Sequence, residues 1–118
     1  KYIKEQLNSD GYIFIAVPNL NAAEIKYLNN KWAPYDAPRH LYHFTYDSMK
    51  KLLNKHDIQI VGEKSIYQDT IYNIYLSISF ASLVDFLRFL YISIISLIRI
   101  IFINKKLSSS KLYICTKK

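Results

Sequence analysis

Cysteine and glycine are scarce in this sequence. Cys115 is the single cysteine, so the chain can form neither an internal disulfide nor a cysteine-rich zinc site, and a reducing cytoplasm is the simplest compartment. The two glycines, Gly11 and Gly62, lie far apart in the sequence. That distribution excludes a glycine-rich turn of the kind that lets a backbone approach a ligand closely.

Acidic residues are also in the minority, since 16 Lys and Arg stand against 9 Asp and Glu and give a net charge of +7. The lysines are scattered, with a looser cluster towards the end of the chain. No compact basic stripe with interleaved aromatic residues appears, which argues against nucleic-acid binding. With 51% hydrophobic residues, the chain can form one ordinary core, and we expect one folded unit.

Three segments have strand character. Residues 12–17 form a continuous apolar run that ends at Pro18, which predicts a strand buried on both faces and a central, parallel position in a sheet. Residues 58–67 and 112–117 predict two further strands. Together they indicate an α/β fold.

Two short helices are predicted between the first two strands. Asn21 and Glu24 have the spacing of a capping box, which predicts a helix ending near residue 29. Thr45 is the expected N-cap of the second helix, with Asp47 in its first turn and an end near His56.

Residues 71–103 are strongly apolar, contain neither glycine nor proline, and predict two more helices. Their only charges are Asp85, Arg88 and Arg99. The uncharged windows are shorter than the roughly 20 apolar residues that a membrane-spanning helix requires. We therefore expect buried or interfacial helices, with peripheral membrane contact left open.

The segment from residue 36 to residue 45, DAPRHLYHFT, concentrates chemically active side chains in a loop. Pro38 disfavours helix at the residue before it, so an extended, shaped loop leads into the Thr45 cap. A loop of this kind on a rigid support often carries function.

This segment, together with GYIFIAVPN at residues 11–19, Trp32, the Leu52-Leu53 pair and Ile58, resembles the C-terminal half of class I S-adenosylmethionine-dependent methyltransferases. A broad bacterial subgroup of that family has a PRH-x-YHF-T signature. The resemblance implies the last three strands of a seven-stranded Rossmann-like sheet, the final one antiparallel, with residues 71–103 as a helical insertion before it. It also implies that residues 1–118 are the C-terminal portion of a methyltransferase domain, whose cofactor-binding N-terminal half, with its Gly-rich turn, is absent from this sequence.

The implied activity is methyl transfer from S-adenosylmethionine, bound by the full-length protein, to a small-molecule acceptor, and a lipid-linked or nucleotide-linked acceptor is one open alternative. His40 is the first candidate for the base that takes a proton from the acceptor, and His43 is the second; both can instead tie the loop down. Arg39 can bind an anionic group on the acceptor or pair with Asp36.

Three other residues are candidates for acceptor binding. Asn19 follows the first strand, where it either hydrogen-bonds the substrate or makes a turn. Trp32 and Tyr42 either wall an apolar acceptor or belong to the core. No metal site is predicted, because His40 and His43 lack a third ligand at recognisable spacing.

Two rival functions remain open at this point. One is a noncatalytic module that docks on a membrane surface or on a protein through the helices of residues 71–103. The other is a split or degenerate methyltransferase whose missing half comes from another chain. A cytoplasmic protein, with or without membrane association, fits each of them.

Overall fold

The computed structural model describes residues 2–8, 10–36 and 38–118. The helices are α1 (Tyr2–Gln6), α2 (Ile25–Leu28), α3 (Tyr46–Asn54), α4 (Gln68–Ser77) and α5 (Leu83–Ile98), and the last continues as a π-helical segment, Arg99–Ile103. The strands are β1 (Ile13–Pro18), β2 (Ile58–Ile66) and β3 (Ser110–Lys117). Short 3-10 turns occupy Asn29–Lys31, Ala33–Tyr35 and Lys105–Leu107.

The three strands form one sheet in the order β1-β3-β2. β3 lies in the middle and is antiparallel to both neighbours, with Pro18 of β1 opposite Ser110. Because each outer strand opposes β3, β1 and β2 run in the same direction. The chain is therefore mixed α/β, and the predicted strands at residues 58–67 and 112–117 are confirmed. The sheet of the described residues is antiparallel at each pairing and does not show a Rossmann-like parallel arrangement.

β1 is not buried on both faces as its apolar run predicts. Ile13, Ile15 and Val17 pack on the core formed with α3 and β3, whereas Phe14 on the other face is 63% exposed. Among the described residues, β1 pairs with β3 alone and helix α3 contributes to the core on one face only. A one-sided cover produces the alternation in burial that an antiparallel sheet with one wet face shows.

The N-terminus of α3 follows the sequence prediction. Thr45 Oγ1 accepts a hydrogen bond from the Ser48 backbone N–H at 3.2 Å, and Ser48 Oγ accepts one from the Thr45 N–H at 2.9 Å. This reciprocal pair is a capping box that satisfies two backbone donors. The helix ends at Asn54, close to the expected end.

The predicted cap of α2 is wrong, because Glu24 has a different partner. Its carboxylate is fully buried and accepts a hydrogen bond from Trp32 Nε1 at 3.1 Å. The Asn21 backbone N–H donates instead to Asn19 Oδ1 at 3.1 Å. Burial against Trp32 therefore replaces capping as the role of Glu24.

Residues 71–103 lie in two helices, as predicted, which pack on a second core cluster. Its buried members are Ala22, Leu28, Trp32, Ile74 and Ile92. Buried or interfacial helices were expected, and burial holds for only one face of the second helix. Leu83–Ile103 forms a helical run of 21 residues that is long and apolar enough to cross a membrane by length and composition, and only 22% of its apolar window is buried. This run includes Asp85, Arg88 and Arg99, so it is longer than the uncharged windows.

Candidate functional site

A cleft of about 660 Å³ opens at the carboxyl end of β1. Its walls are the end of β1, the loop that follows Trp32, helix α4 and the first residue of β3. Its polar lining residues are Asp36, Arg39, His40, Asp69, Tyr72, Asn73 and Ser110. The cleft therefore joins the loop of residues 36–45, called the signature loop below, to helix α4, which begins at Gln68.

Two backbone contacts anchor the loop beside the cleft. Phe44 forms a parallel bridge with Asn19, directly after β1. The Ala33 N–H donates to Ser77 Oγ of α4 at 2.8 Å. The loop is thus tied to the sheet at one end and to α4 at the other, which holds its side chains on a rigid support.

Both loop histidines contact one carbonyl oxygen. His40 Nδ1 lies 3.1 Å from the Pro34 oxygen, and His43 Nε2 lies 2.9 Å from the same atom. Because a carbonyl only accepts hydrogen bonds, each of these ring nitrogens carries the proton. In the neutral His40 ring, Nε2 is then the unprotonated nitrogen. His40 lines the cleft, whereas His43 stands edge-on to Tyr35 with ring centroids 5.4 Å apart.

Arg39 forms an ion pair with Asp36, which is one of the two interactions expected for it. Its Nε lies 2.7 Å from Asp36 Oδ2, and the arginine side chain is 81% exposed. Exposed pairs of this kind contribute only about 0–1 kcal/mol, so an anionic ligand can compete for the guanidinium. Both members of the pair line the cleft.

The remaining predicted residues lie outside the cleft lining. Asn19 is 4% exposed, and its amide nitrogen donates to the carbonyl oxygens of Lys106 at 2.9 Å and Ser108 at 2.7 Å. Trp32 is 1% exposed and belongs to the core, while Tyr42 is 77% exposed. Of the residues singled out in the sequence, the cleft brings together Arg39 and His40.

Helix α4 supplies four cleft residues that the sequence analysis missed, namely Asp69, Tyr72, Asn73 and Leu76. Tyr72 and Asn73 follow Asp69 by three and four positions, and Leu76 follows Tyr72 by four, so the four share one face of the helix. The sequence pattern that could have identified them is a short polar cluster at the start of an otherwise apolar segment. Asn73 Nδ2 also donates to Ser109 Oγ at 2.7 Å, which connects α4 to the start of β3.

A buried carboxyl group lies close to this connection. Burial raises the pKa of Glu24 above its ordinary value of 4.5, and hydrogen bonds from Ser109 and Trp32 oppose that shift. Ser109 is itself fully buried, and its backbone N–H donates to Thr70 Oγ1 at 3.0 Å. These contacts fasten the α2 segment, α4 and β3 to one another behind the cleft.

The glycines of this chain do not fit the methionine group of S-adenosylmethionine. Gly11 precedes β1, and Gly62 lies at the irregularity in β2, where a Cβ would contact Ile114 at 3.4 Å. Neither glycine stands at the carboxyl end of a strand, where a close backbone approach to that cofactor would be needed. Within residues 2–8, 10–36 and 38–118, no three His, Cys, Asp or Glu side chains cluster around a potential metal position.

Comparison with protein-family models, with curated proteins and with solved structures finds no match to this chain.

Proposed function

We propose that this chain is the acceptor-side part of an S-adenosylmethionine-dependent methyltransferase that modifies a small molecule. The observation that carries the proposal is the position of Arg39 and His40, two residues of the signature segment, in a cleft at the carboxyl end of β1. In open α/β sheets, ligands bind at the carboxyl ends of the parallel strands.

The strand directions support this reading. A final strand antiparallel to the others is what the resemblance implies, and β3 is antiparallel to two strands that run in the same direction. The helices of residues 71–103 precede that strand, as a helical insertion would. That these three strands form part of a seven-stranded sheet is itself proposed.

His40 is suited to the removal of a proton from an acceptor hydroxyl. The Pro34 carbonyl accepts the hydrogen bond from Nδ1–H and leaves Nε2 to take the proton. The same carbonyl continues to accept that bond once the ring is positively charged, so it stabilises the product of proton transfer. General-base catalysis of this kind contributes about 10²–10⁴-fold to rate. His43 positions the loop through its bond to the same oxygen.

The cleft favours an acceptor with an anionic group and an apolar part. Arg39 can exchange Asp36 for a phosphate or carboxylate, to which a guanidinium makes paired hydrogen bonds. Tyr72 and Leu76 line the cleft, and their side chains are 60% and 51% exposed. A nucleotide-linked or lipid-linked small molecule has this combination.

The methyl group would come from S-adenosylmethionine held by residues outside this chain. The chain's own contribution is to bind the acceptor and to accept its proton. We therefore expect that this chain alone does not bind the cofactor and does not transfer methyl groups.

The test uses the protein translated from the complete reading frame and S-adenosylmethionine carrying a tritiated methyl group. Tritium transfer is measured into the organic-soluble and water-soluble fractions of an extract from the source cells. His40→Ala should lower transfer about 100-fold or more while the dissociation constant of the cofactor stays unchanged. Wild-type protein that transfers no tritium to either fraction contradicts the proposal.

His43→Ala is the matched variant, because it removes the other imidazole from the same carbonyl. We expect a smaller loss of transfer than for His40→Ala. Equal loss of transfer and of cofactor affinity in His40→Ala would show that His40 only supports the fold.

A further inference from the structure

Helix α5 and its π-helical extension differ from an ordinary surface helix because their exposed face is apolar. Ser93 and Ser96 are buried against the rest of the chain together with Ile92 and Ile100. The large apolar side chains face outward, and six of them recur every three or four positions with exposures between 38% and 73%: Leu83, Leu87, Leu90, Ile94, Ile98 and Ile101. We refer to these six residues as the apolar stripe.

Burial elsewhere in the described chain does not account for the apolar stripe. Val84, Phe86, Tyr91 and Phe102 flank it and are exposed as well, at 47% to 80%. A monomer's largest apolar patch typically covers about 300–600 Å² and often marks a binding surface. Ten large apolar side chains are exposed along one helix face, which indicates a binding surface of this kind.

Positive charge borders the apolar stripe along one flank and at one end. Arg88 and Arg99 lie on the same flank, about three turns apart along the helix. Arg99 donates to the Ala23 carbonyl oxygen at 3.3 Å. Arg88 Nη2 lies 3.5 Å from the Tyr27 carbonyl oxygen. Lys105 and Lys106 follow the helix and are exposed, and Lys106 Nζ pairs with Glu63 Oε1 at 2.9 Å, which leaves Lys105 as the cation at that end. Cations at the edge of an apolar face match the phosphates of a lipid headgroup layer.

We propose that the apolar stripe inserts into the surface of an anionic lipid bilayer, with the helix lying parallel to the membrane plane. The inner face fixes that orientation, because Ile92 packs with Leu28, Trp32 and Ile74 in the core. A helix that crossed the bilayer would have to leave that core.

The charge pattern selects lipid over a second copy of the chain. Two copies joined through their apolar stripes would bring the same flanking arginines and lysines of a chain of net charge +7 towards each other. An anionic bilayer places phosphates opposite them instead. The inference does not depend on methyl transfer, and lipid binding is measured without any cofactor.

Flotation of the full chain with vesicles tests the proposal. One set contains phosphatidylcholine and phosphatidylglycerol in equal parts, and the other contains phosphatidylcholine alone. The wild-type chain should float with the mixed vesicles and less with the neutral ones. Ile94→Glu, in the middle of the apolar stripe, should lower the floated fraction at least about tenfold, and Arg88→Gln should reduce the preference for mixed vesicles.

Leu52→Glu is the matched control, because Leu52 lies on α3, outside the apolar stripe, and is 42% exposed. It should float like the wild type. Trp32 is the only tryptophan and is buried in the core against the helix, so an unchanged emission maximum shows that each variant is folded. Equal flotation of Ile94→Glu and wild type overturns the proposal. So does a wild-type chain that fails to float and sediments as a dimer that Ile94→Glu dissociates.

Discussion

Replacement of Asn19 tests whether its amide serves the fold or a substrate. The side chain is buried and makes three hydrogen bonds to the backbone: two from Nδ2, to the carbonyl oxygens of Lys106 and Ser108, and one to Oδ1 from the Asn21 N–H. These bonds hold the end of β1 against the segment that leads into β3. Both Nδ2 protons are used in these bonds, so the amide has no donor left for a ligand in the cleft.

The expected cost follows from these bonds. A protein hydrogen bond contributes a net of about 0.5–1.5 kcal/mol, and a buried partner left unsatisfied costs about 1–3 kcal/mol. We therefore expect Asn19→Ala to lower the free energy of unfolding by about 3 kcal/mol. Asn19→Asp should lose at least as much, since a carboxylate would face the carbonyl oxygens of Lys106 and Ser108.

Urea unfolding of the full chain measures this change as a shift of the midpoint at constant slope. Asn30→Ala is the control, because Asn30 is exposed in a 3-10 turn and should change stability by no more than about 0.5 kcal/mol. If Asn19→Ala is also within about 0.5 kcal/mol of the wild type, the structural reasoning is refuted and Asn19 becomes a substrate-binding candidate again.

Three further predictions concern a buried acid, a helix cap and the thiol. Burial raises the pKa of Glu24, so the folded chain retains a proton that the unfolded chain releases. Stability should fall as the pH rises from 4.5 towards the raised pKa and then level off, and Glu24→Gln should remove that decline in urea titrations across pH; an unchanged decline contradicts the assignment. Thr45→Ala should cost about 1 kcal/mol by the same assay while Thr45→Ser retains the cap, and equal stability of the two variants would exclude the capping role. Cys115 is 0% exposed and burial raises its thiol pKa, so a thiol reagent should label it only under unfolding conditions; rapid labelling of the native chain would refute this burial.

The sequence correctly predicted those features that depend on residues close together in the chain. The α3 cap is an example, since Thr45 bonds to Ser48 within the same turn. The predicted strands and the two helices of residues 71–103 also follow from periodicity and from breaks in the apolar pattern. Arg39 and His40 were found because they lie together in one unusual segment.

The rest depends on contacts between distant residues. Glu24 has the spacing of a cap, but Trp32 takes its carboxylate into the core. The α4 side of the cleft contributes Asp69, Tyr72 and Asn73, and only the packing of α4 places them opposite the signature loop. An apolar run cannot reveal which of its faces is covered, which is why the exposure of Phe14 was not predicted.

The most direct test of the central claim is equilibrium dialysis of S-adenosylmethionine against the product of the complete reading frame and, separately, against the 118-residue chain. We predict that the complete product binds the cofactor and that this chain alone does not. A complete product that fails to bind S-adenosylmethionine, or a chain that binds it unaided, would contradict the assignment of this chain as the acceptor side of a methyltransferase.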